Sequence, residues 1–438
     1  MEDAMSRCKY ALPLMLLLLS LIPSIRAQDI SGQWQGTIQS EHPRRAVLNV
    51  SKDSTGQLEA YFVPIDDSPD HFRASAISGS NGELDFSVFG DSYHGKLSED
   101  GRRITGTWTE GESHSPLEFQ RVTEGASWLR KSKVQMVTVA PGVSLEVIDW
   151  GGSGPPLIFL AGLGNTAHTF DKFAPKFVPK FHAYGITRRG FGASSTPAPD
   201  DSNYTADRLG DDVLKVIDAL GVKKPVLIGH SIAGEELSSI GSRFPDKVAG
   251  LIYLDAGYAY ALYSPEYGDR EQDAKDLKNV LDKFLTAQSG GDLKDAIAST
   301  ANVLSEMRIV QKDLETFQRQ LELQPSPPNS GAPPEVPFAA PAIIRGEQKY
   351  TKIQVPVLAI FANPHANPNL AHMPDDQRKE SIALDQQQSV AQGKAFEQLK
   401  SAKVVMLPNA SHFMFFSNEE EVEKDVNNFL ETLNLNRN

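Results

Sequence analysis

Pro225-Val226-Leu227-Ile228-Gly229-His230-Ser231-Ile232-Ala233-Gly234 is the stretch on which the reading of this chain turns. Pro225 to Ile228 is an apolar run that reads as a buried parallel strand. Ile232 to Arg243 reads as a helix, so the chain must bend sharply at Ser231. A serine on such a corner lifts its hydroxyl above the sheet edge. The helix N-terminus behind it offers free N–H groups and a partial positive charge, both suited to a developing oxyanion. Gly229, Ala233 and Gly234 let strand and helix approach where larger side chains would clash. The pattern departs from Gly-x-Ser-x-Gly at its fifth position, Ala233, with glycine one place later. Alone, the same residues also describe an ordinary corner whose serine caps a helix, so the rest of the chain has to decide.

Around this corner, strands alternate with helices, which requires a mostly parallel sheet. Val134 to Ala140 and Leu145 to Trp150 read as a hairpin. Leu157 to Leu160 is a buried strand ending in Ala161-Gly162-Leu163-Gly164, with a helix expected from about Thr166. That glycine-rich end brings the Leu163 N–H toward Ser231. With the N–H of Ile232 it forms a two-donor oxyanion hole; the plainer reading is a turn that needs glycine for its backbone angles. Ala183 to Thr187 is the next strand and runs into Arg188-Arg189-Gly190-Phe191-Gly192-Ala193-Ser194. The two arginines suit a substrate carboxylate or, equally, a solvated loop. Asp207 to Leu220 is an amphipathic helix closed by Gly221. Val248 to Leu254 is a buried strand that ends at Asp255. Sites in such sheets lie at the carboxyl ends of the strands, where Leu163, Ser231 and Asp255 all fall.

From Gly257 to Tyr350 the alternation is interrupted by Tyr258, Tyr260, Tyr263 and Tyr267, two helical stretches and a Pro-rich segment from Gln324 to Pro341. An insertion after a strand end hangs over the site and reads as a lid. The tyrosines line a substrate pocket, Tyr258 foremost, or pack lid against core. Val355 to Phe361 and Lys403 to Leu407 resume the sheet. Pro408-Asn-Ala-Ser-His412 follows, and a last helix begins at Asn418 with Glu419, Glu420 and Glu421 in its first turn. His412 thus sits on a loop that can lower an imidazole onto Ser231.

Ahead of this region, Asp29 to Val122 shows short alternating strands with hairpin signals at Asn81-Gly82 and Asp100-Gly101. Ile30 to Gly36 is echoed by Ile104 to Gly111, which suggests first and last strands pairing to close a small barrel or sandwich, with Trp34 and Trp108 in its core or, alternatively, lining a glycan or peptide site. The organisation expected is a signal peptide over 1–27, a β domain over 28–122, a linker over 123–133 and a catalytic domain over 134–438 with its insertion at about 256–350. Arg7, Lys9 and the apolar Ala11 to Ile22 form the leader, too short to span a bilayer, with cleavage after Ala27. The destination implied is periplasmic or extracellular. Cys8 is the only cysteine and would leave with the leader, which removes a cysteine nucleophile and a thiolate metal site from consideration. A formal net charge of -13 disfavours nucleic acid and anionic membranes as partners. No cofactor or metal is called for, and no stable membrane insertion. The expected partner is a small acyl substrate, with an envelope or extracellular ligand for the β domain.

Leu160-Ala-Gly-Leu-Gly164, Arg189-Gly-Phe-Gly-Ala-Ser194, Gly229-His-Ser-Ile-Ala233 and Asn409-Ala-Ser-His412, in that order over about Val134 to Asn438, resemble an α/β-hydrolase-fold serine hydrolase of the esterase or lipase kind. The resemblance implies a doubly wound, mostly parallel sheet with a helical lid, and a Ser-His-acid triad acting on esters or related acyl groups. Serine at the corner argues against the fold's dehalogenases and epoxide hydrolases that use an aspartate nucleophile. There are departures. The histidine usual before the oxyanion glycine is Ala161. The aspartate that commonly begins the Arg-Gly-x-Gly motif is replaced by Thr187 or Arg188. The common place of the acid, after the strand Val355 to Phe361, holds Asn363-Pro-His365-Ala-Asn-Pro368 and no carboxylate. Asp255 is then the candidate acid, because some members of the fold carry it after the preceding strand; Asp375 and Asp376 stand in reserve, and His365 reads as a surface or pocket histidine. Two other functions stay open: an aminopeptidase or amidase of the same fold, and a silent hydrolase domain behind a ligand-binding β domain.

Overall fold

The computed structural model describes residues 29–435, apart from 40–43, 53–55, 64–71, 75, 81, 89, 112, 123–132, 201, 288–291, 324–338, 368–369, 371–372 and 434. The leader with Cys8, Asn81, most of the linker and most of the Pro-rich segment lie outside these residues. The chain forms two compact units.

The first unit is an antiparallel sheet of nine strands: β1 (Gly32–Ile38), β2 (Arg44–Lys52), β3 (Leu58–Val63), β4 (Phe72–Arg73), β5 (Ala76–Ser80), β6 (Glu83–Val88), β7 (Asp91–Leu97), β8 (Arg103–Glu110) and β9 (Ser113–Arg121). Their order, β4-β3-β2-β1-β9-β8-β7-β6-β5, rolls into a nearly closed barrel in which the first and last strands do pair. The echo of β1 is β8, one strand further on. Trp34 is fully buried and donates Nε1–H to the Ile30 carbonyl at 3.0 Å. Trp108 is buried too and stacks on Phe62 with centroids 4.7 Å apart. Tyr93 closes the interior, its hydroxyl 3.1 Å from the carbonyls of both Ile104 and Leu117. Each buried tryptophan removes about 150–250 Å² from water, worth about 4–6 kcal/mol before conformational entropy is charged against it.

The second unit is built on eight strands: β10 (Lys133–Ala140), β11 (Val143–Gly151), β12 (Pro156–Leu160), β13 (His182–Ile186), β14 (Val226–His230), β15 (Gly250–Leu254), β16 (Val357–Ala362) and β17 (Ala402–Leu407). Their order is β10-β11-β13-β12-β14-β15-β16-β17, parallel from β13 to β17. Helices α1 (Ala206–Leu220) and α2 (Gly234–Arg243) pack on one face, and α3 (Arg270–Ala287), α4 (Leu293–Glu322) and α5 (Ala340–Gly346) lie between β15 and β16 in the chain. Then come α6 (Asp375–Glu397), α7 (Met414–Ser417) and α8 (Glu419–Thr432). The period of two along each strand divides the core. Ile158 and Leu160 face Val213, Ile217, Leu237 and Phe396, while Leu157 and Phe159 face Phe170, Phe173, Val426 and Phe429. Helices therefore cover both faces.

Two local expectations are corrected, and one helix went unforeseen. Past Thr166 the chain makes only two short 3₁₀ turns, Ala167–Phe170 and Ala174–Lys176, because Pro175 cannot extend an α-helix. Helix α6 has no counterpart in the sequence reading: its apolar residues keep no constant spacing and Gln386-Gln-Gln388 interrupts them. Asn418 sits at the N-cap of α8, but its side chain accepts from Ser417 Oγ instead of a helical N–H. Among the described residues no helix is long and apolar enough to cross a membrane.

Candidate active site

Strand β12 lies between β13 and β14, so the connections leaving β12 and β14 run to opposite sides, and the crevice where they part is the natural site of an open α/β sheet. The Gly162 loop leaves β12 there, and Ser231 leaves β14. Ser231 has φ 54°, a left-handed conformation costly for a residue with a Cβ, held by a buried strand before it and a helix after it. The glycines follow from packing. A Cβ on Gly234 would stand 2.0 Å from the Ala256 carbonyl, so glycine is required at 234 and not at 233. A Cβ on Gly162 would stand 3.2 Å from Ser231 Cβ and 2.9 Å from His230 Nδ1, which places the expected oxyanion loop directly against the corner. Leu163 and Ile232 pack in one apolar cluster with Phe191, Ile343 and Tyr260.

Asp255, fully buried at the end of β15, also has a left-handed φ of 46°. That turn aims its carboxylate at the loop after β17, and Oδ2 lies 2.6 Å from His412 Nδ1. The carboxylate is shared. Oδ2 is also 2.6 Å from His365 Nε2, while Oδ1 accepts from the Tyr258 hydroxyl at 3.0 Å and the Ala362 N–H at 3.1 Å. Burial opposes ionisation of Asp255, but the hydrogen bonds from His365 and His412 outweigh it and hold the carboxyl well below the usual range. His365, read from sequence as a surface or pocket histidine, is bonded at both nitrogens: its Nδ1 is 2.7 Å from Asp385 Oδ1 on α6, and its backbone N–H donates to Asp385 Oδ2 at 2.7 Å. Burial alone would lower its pKa, but the two carboxylates raise it to about 10. Asp385 was invisible in the sequence because the helix that carries it was.

His230 is a further contributor. It is buried, and its Nε2–H donates to the His412 carbonyl at 2.9 Å, fixing the loop that carries the imidazole. Burial and the neighbouring His412 push its pKa down to about 3, so it stays neutral. Asp375 and Asp376 are exposed in the first turn of α6, with Asp375 paired to Arg378.

Neither arginine of the Arg188-Arg189 pair is in a solvated loop. Arg188 is 6% exposed; it meets Glu236 Oε1 at 2.5 Å, the Ala161 carbonyl at 2.9 Å and the Gly162 carbonyl at 3.3 Å. It thereby ties the Gly162 loop to α2, and these contacts, not a substrate carboxylate, occupy its guanidinium. Arg189 forms a two-pronged pair with Asp212, 2.6 Å on each prong. Thr187, where an aspartate was expected, donates to Glu146 Oε2 at 2.6 Å and accepts from the Ala167 N–H. Tyr258 is likewise engaged with Asp255 and stands 3.2 Å from His365 Nε2, so its hydroxyl belongs to the carboxylate network.

Asp255, His365 and His412 are also the kinds of side chain that hold a metal ion. Their spacing decides the matter. Tetrahedral ligands about 2.0–2.1 Å from zinc stand roughly 3.3–3.4 Å from one another, whereas the carboxylate oxygen here is 2.6 Å from each nitrogen. These are hydrogen-bond distances, so the cluster as arranged does not fit a metal.

The alpha/beta hydrolase fold profile matches residues 155–419, more than half of the chain. The fluoroacetate dehalogenase of a Burkholderia species is 31% identical over 115 residues, 26% of this chain and 38% of that protein. The 2-(acetamidomethylene)succinate hydrolase of Mesorhizobium japonicum is 26% identical over 104 residues, 24% of this chain and 36% of that protein. The matches thus span little more than a third of these relatives' own lengths. A solved structure of a Vigna radiata epoxide hydrolase mutant aligns over 69% of this chain and 99% of its own, at 17% identity and a TM-score of 0.45. With the profile match over a doubly wound sheet of this order, the chain belongs to the alpha/beta hydrolase fold family.

Proposed function

We infer that the protein is an exported serine hydrolase that cleaves carboxylic esters or related acyl groups through Ser231, His412 and Asp255. The observation that supports this most is the 2.6 Å contact of Asp255 with His412 Nδ1, made from a strand end beside the strained Ser231 corner. With Nδ1–H committed to Asp255, His412 presents Nε2 as the base. It takes the Ser231 proton, and the alkoxide attacks the acyl carbonyl. The N–H groups of Leu163 and Ile232 hold the oxyanion. His412 then protonates the leaving alcohol, and water, activated by the same imidazole, releases the acid and restores Ser231. Serine instead of a carboxylate at the corner favours acyl transfer over the halide or epoxide chemistry named for the relatives. Helices α3 to α5 serve as the lid, and since the barrel interior is filled by aromatic side chains, any ligand of the β domain meets its outer surface. A series of p-nitrophenyl esters of increasing acyl length tests the reading. An initial burst of nitrophenol equal to the enzyme concentration, or steady turnover with a clear length optimum, is expected. Absence of both across the series, with the leaving group released only at the background rate, rejects it.

One observation favours an amide or aminoacyl substrate within the same chemistry. Glu235, one helical turn past Ser231, is fully buried with neither carboxyl oxygen hydrogen-bonded. Burial, with Glu347 and Glu236 nearby, raises its pKa well above the usual value. Such a carboxyl would gain an ion partner from a substrate ammonium group. On that reading Glu235→Gln lowers kcat/KM for aminoacyl arylamides by about 10- to 100-fold and lowers it much less for neutral esters. Equal effects on both substrate classes would leave only the ester reading.

A further inference from the structure

A triad needs one histidine on its carboxylate; Asp255 carries two, on the same oxygen. We propose that His365, held by Asp385, is a positioning residue that remains cationic beside Asp255 and restrains protonation of His412, extending the working range of the site toward acid. The inference rests on the serine-hydrolase reading for its kinetic consequence, though not for the charge state of His365.

The geometry carries it. Every polar atom of the His365 ring meets an acceptor, Asp255 Oδ2 at 2.6 Å and Asp385 Oδ1 at 2.7 Å. A neutral imidazole has one N–H and would face one of these carboxylates with a bare lone pair; the imidazolium donates to both. The groups that face it are Asp255 from β15, Asp385 from α6, the Tyr258 hydroxyl at 3.2 Å and the His412 ring at a centroid distance of 6.2 Å. Burial and the charge of Asp255 raise the Tyr258 pKa well above its usual value, so it adds no charge. Two anions thus flank one fixed cation, and a second cation forming on His412 meets both the attraction of Asp255 and the repulsion of His365. His365 stands at about the place where the fold commonly carries the acid; here that place supplies the counter-charge, and the end of β15 supplies the carboxylate at Asp255.

Removing the His365 charge relieves the repulsion. Two unit charges 6.2 Å apart interact enough to move a titration by about half a unit in a water-like medium and about two units at an effective dielectric of 20. His365→Gln is therefore expected to move the acid limb of the kcat/KM profile upward by that amount. Asp385→Asn removes an anion, not the cation, and should not move the limb up. A loosened α6 would shift both variants alike, and equal upward shifts, or an unmoved limb in His365→Gln, overturn the proposal. Independently of turnover, ¹⁵N spectra of the histidines in the full-length protein at pH 8 should contain a doubly protonated imidazole that His365→Gln removes, beside that of His168, where burial opposes the charge but Asp171 and Glu146 raise the pKa to about 10. Absence of any doubly protonated imidazole that His365→Gln removes overturns it whether or not the protein hydrolyses esters; a signal lost in His365→Gln, in a protein inert to every ester, would leave this charge state standing and fail the serine-hydrolase reading alone.

Discussion

Ser231→Ala is expected to reduce ester turnover by about five to six orders of magnitude while leaving the melting temperature close to that of the parent. The size follows from how triads behave: removing the nucleophile disables the whole unit, and the rate that remains comes from binding and the oxyanion donors. The small effect on folding follows from the corner. The left-handed φ of 54° at Ser231 is imposed by β14 and α2, not by the hydroxyl, and alanine bears the same backbone strain as serine. Calorimetry beside ester kinetics separates the two effects. A variant that retains more than about one per cent of parental turnover would place the nucleophile elsewhere.

Asp255→Asn should lower kcat by about four orders of magnitude, through the wrong tautomer of His412, and unlike the serine variant it should also destabilise the fold. Four donors converge on this carboxylate: His365, His412, Tyr258 and the Ala362 N–H. An amide replaces one acceptor oxygen with an N–H₂ group, so donors on that side are left without an acceptor, at about 1–3 kcal/mol for each buried group. Activity must then be referred to folded sites. The pH dependence gives a second check. Because the folded pKa of Asp255 is depressed, its stabilisation is present above the unfolded value of about 3.9 and is lost as pH falls toward the folded value. The parent should lose stability on acidification below about pH 4, and the asparagine variant should lose less of it over the same interval.

Much of this site was legible in the sequence because its parts sit at ends of strands that are apolar throughout. Val226 to Ile228 and Leu251 to Leu254 are buried on both faces, and a strand of that kind fixes where its last residue emerges. Ser231, Asp255 and the Gly162 loop could therefore be placed before any coordinate. The requirement for glycine at 234 was legible as a pattern, but its cause, the Ala256 carbonyl, lies in a segment distant in sequence. What stayed hidden depends on side chains meeting across elements. The burial of Arg188 by Glu236 cannot be read from a two-arginine loop. Nor can the His365–Asp385 pair, since α6 lacks the spacing that announces a helix. In the first unit, alternation and hairpin signals gave the strands, while the offset between β8 and β9 was beyond a repeat defined by two tryptophans.

The most direct test of an activated serine is covalent. Full-length protein treated with a fluorophosphonate and mapped by peptide mass should carry one adduct, on Ser231, and the His412→Ala variant should carry none. An adduct confined to another residue, or no adduct in folded protein, would contradict the assignment of Ser231 and His412 as a working pair.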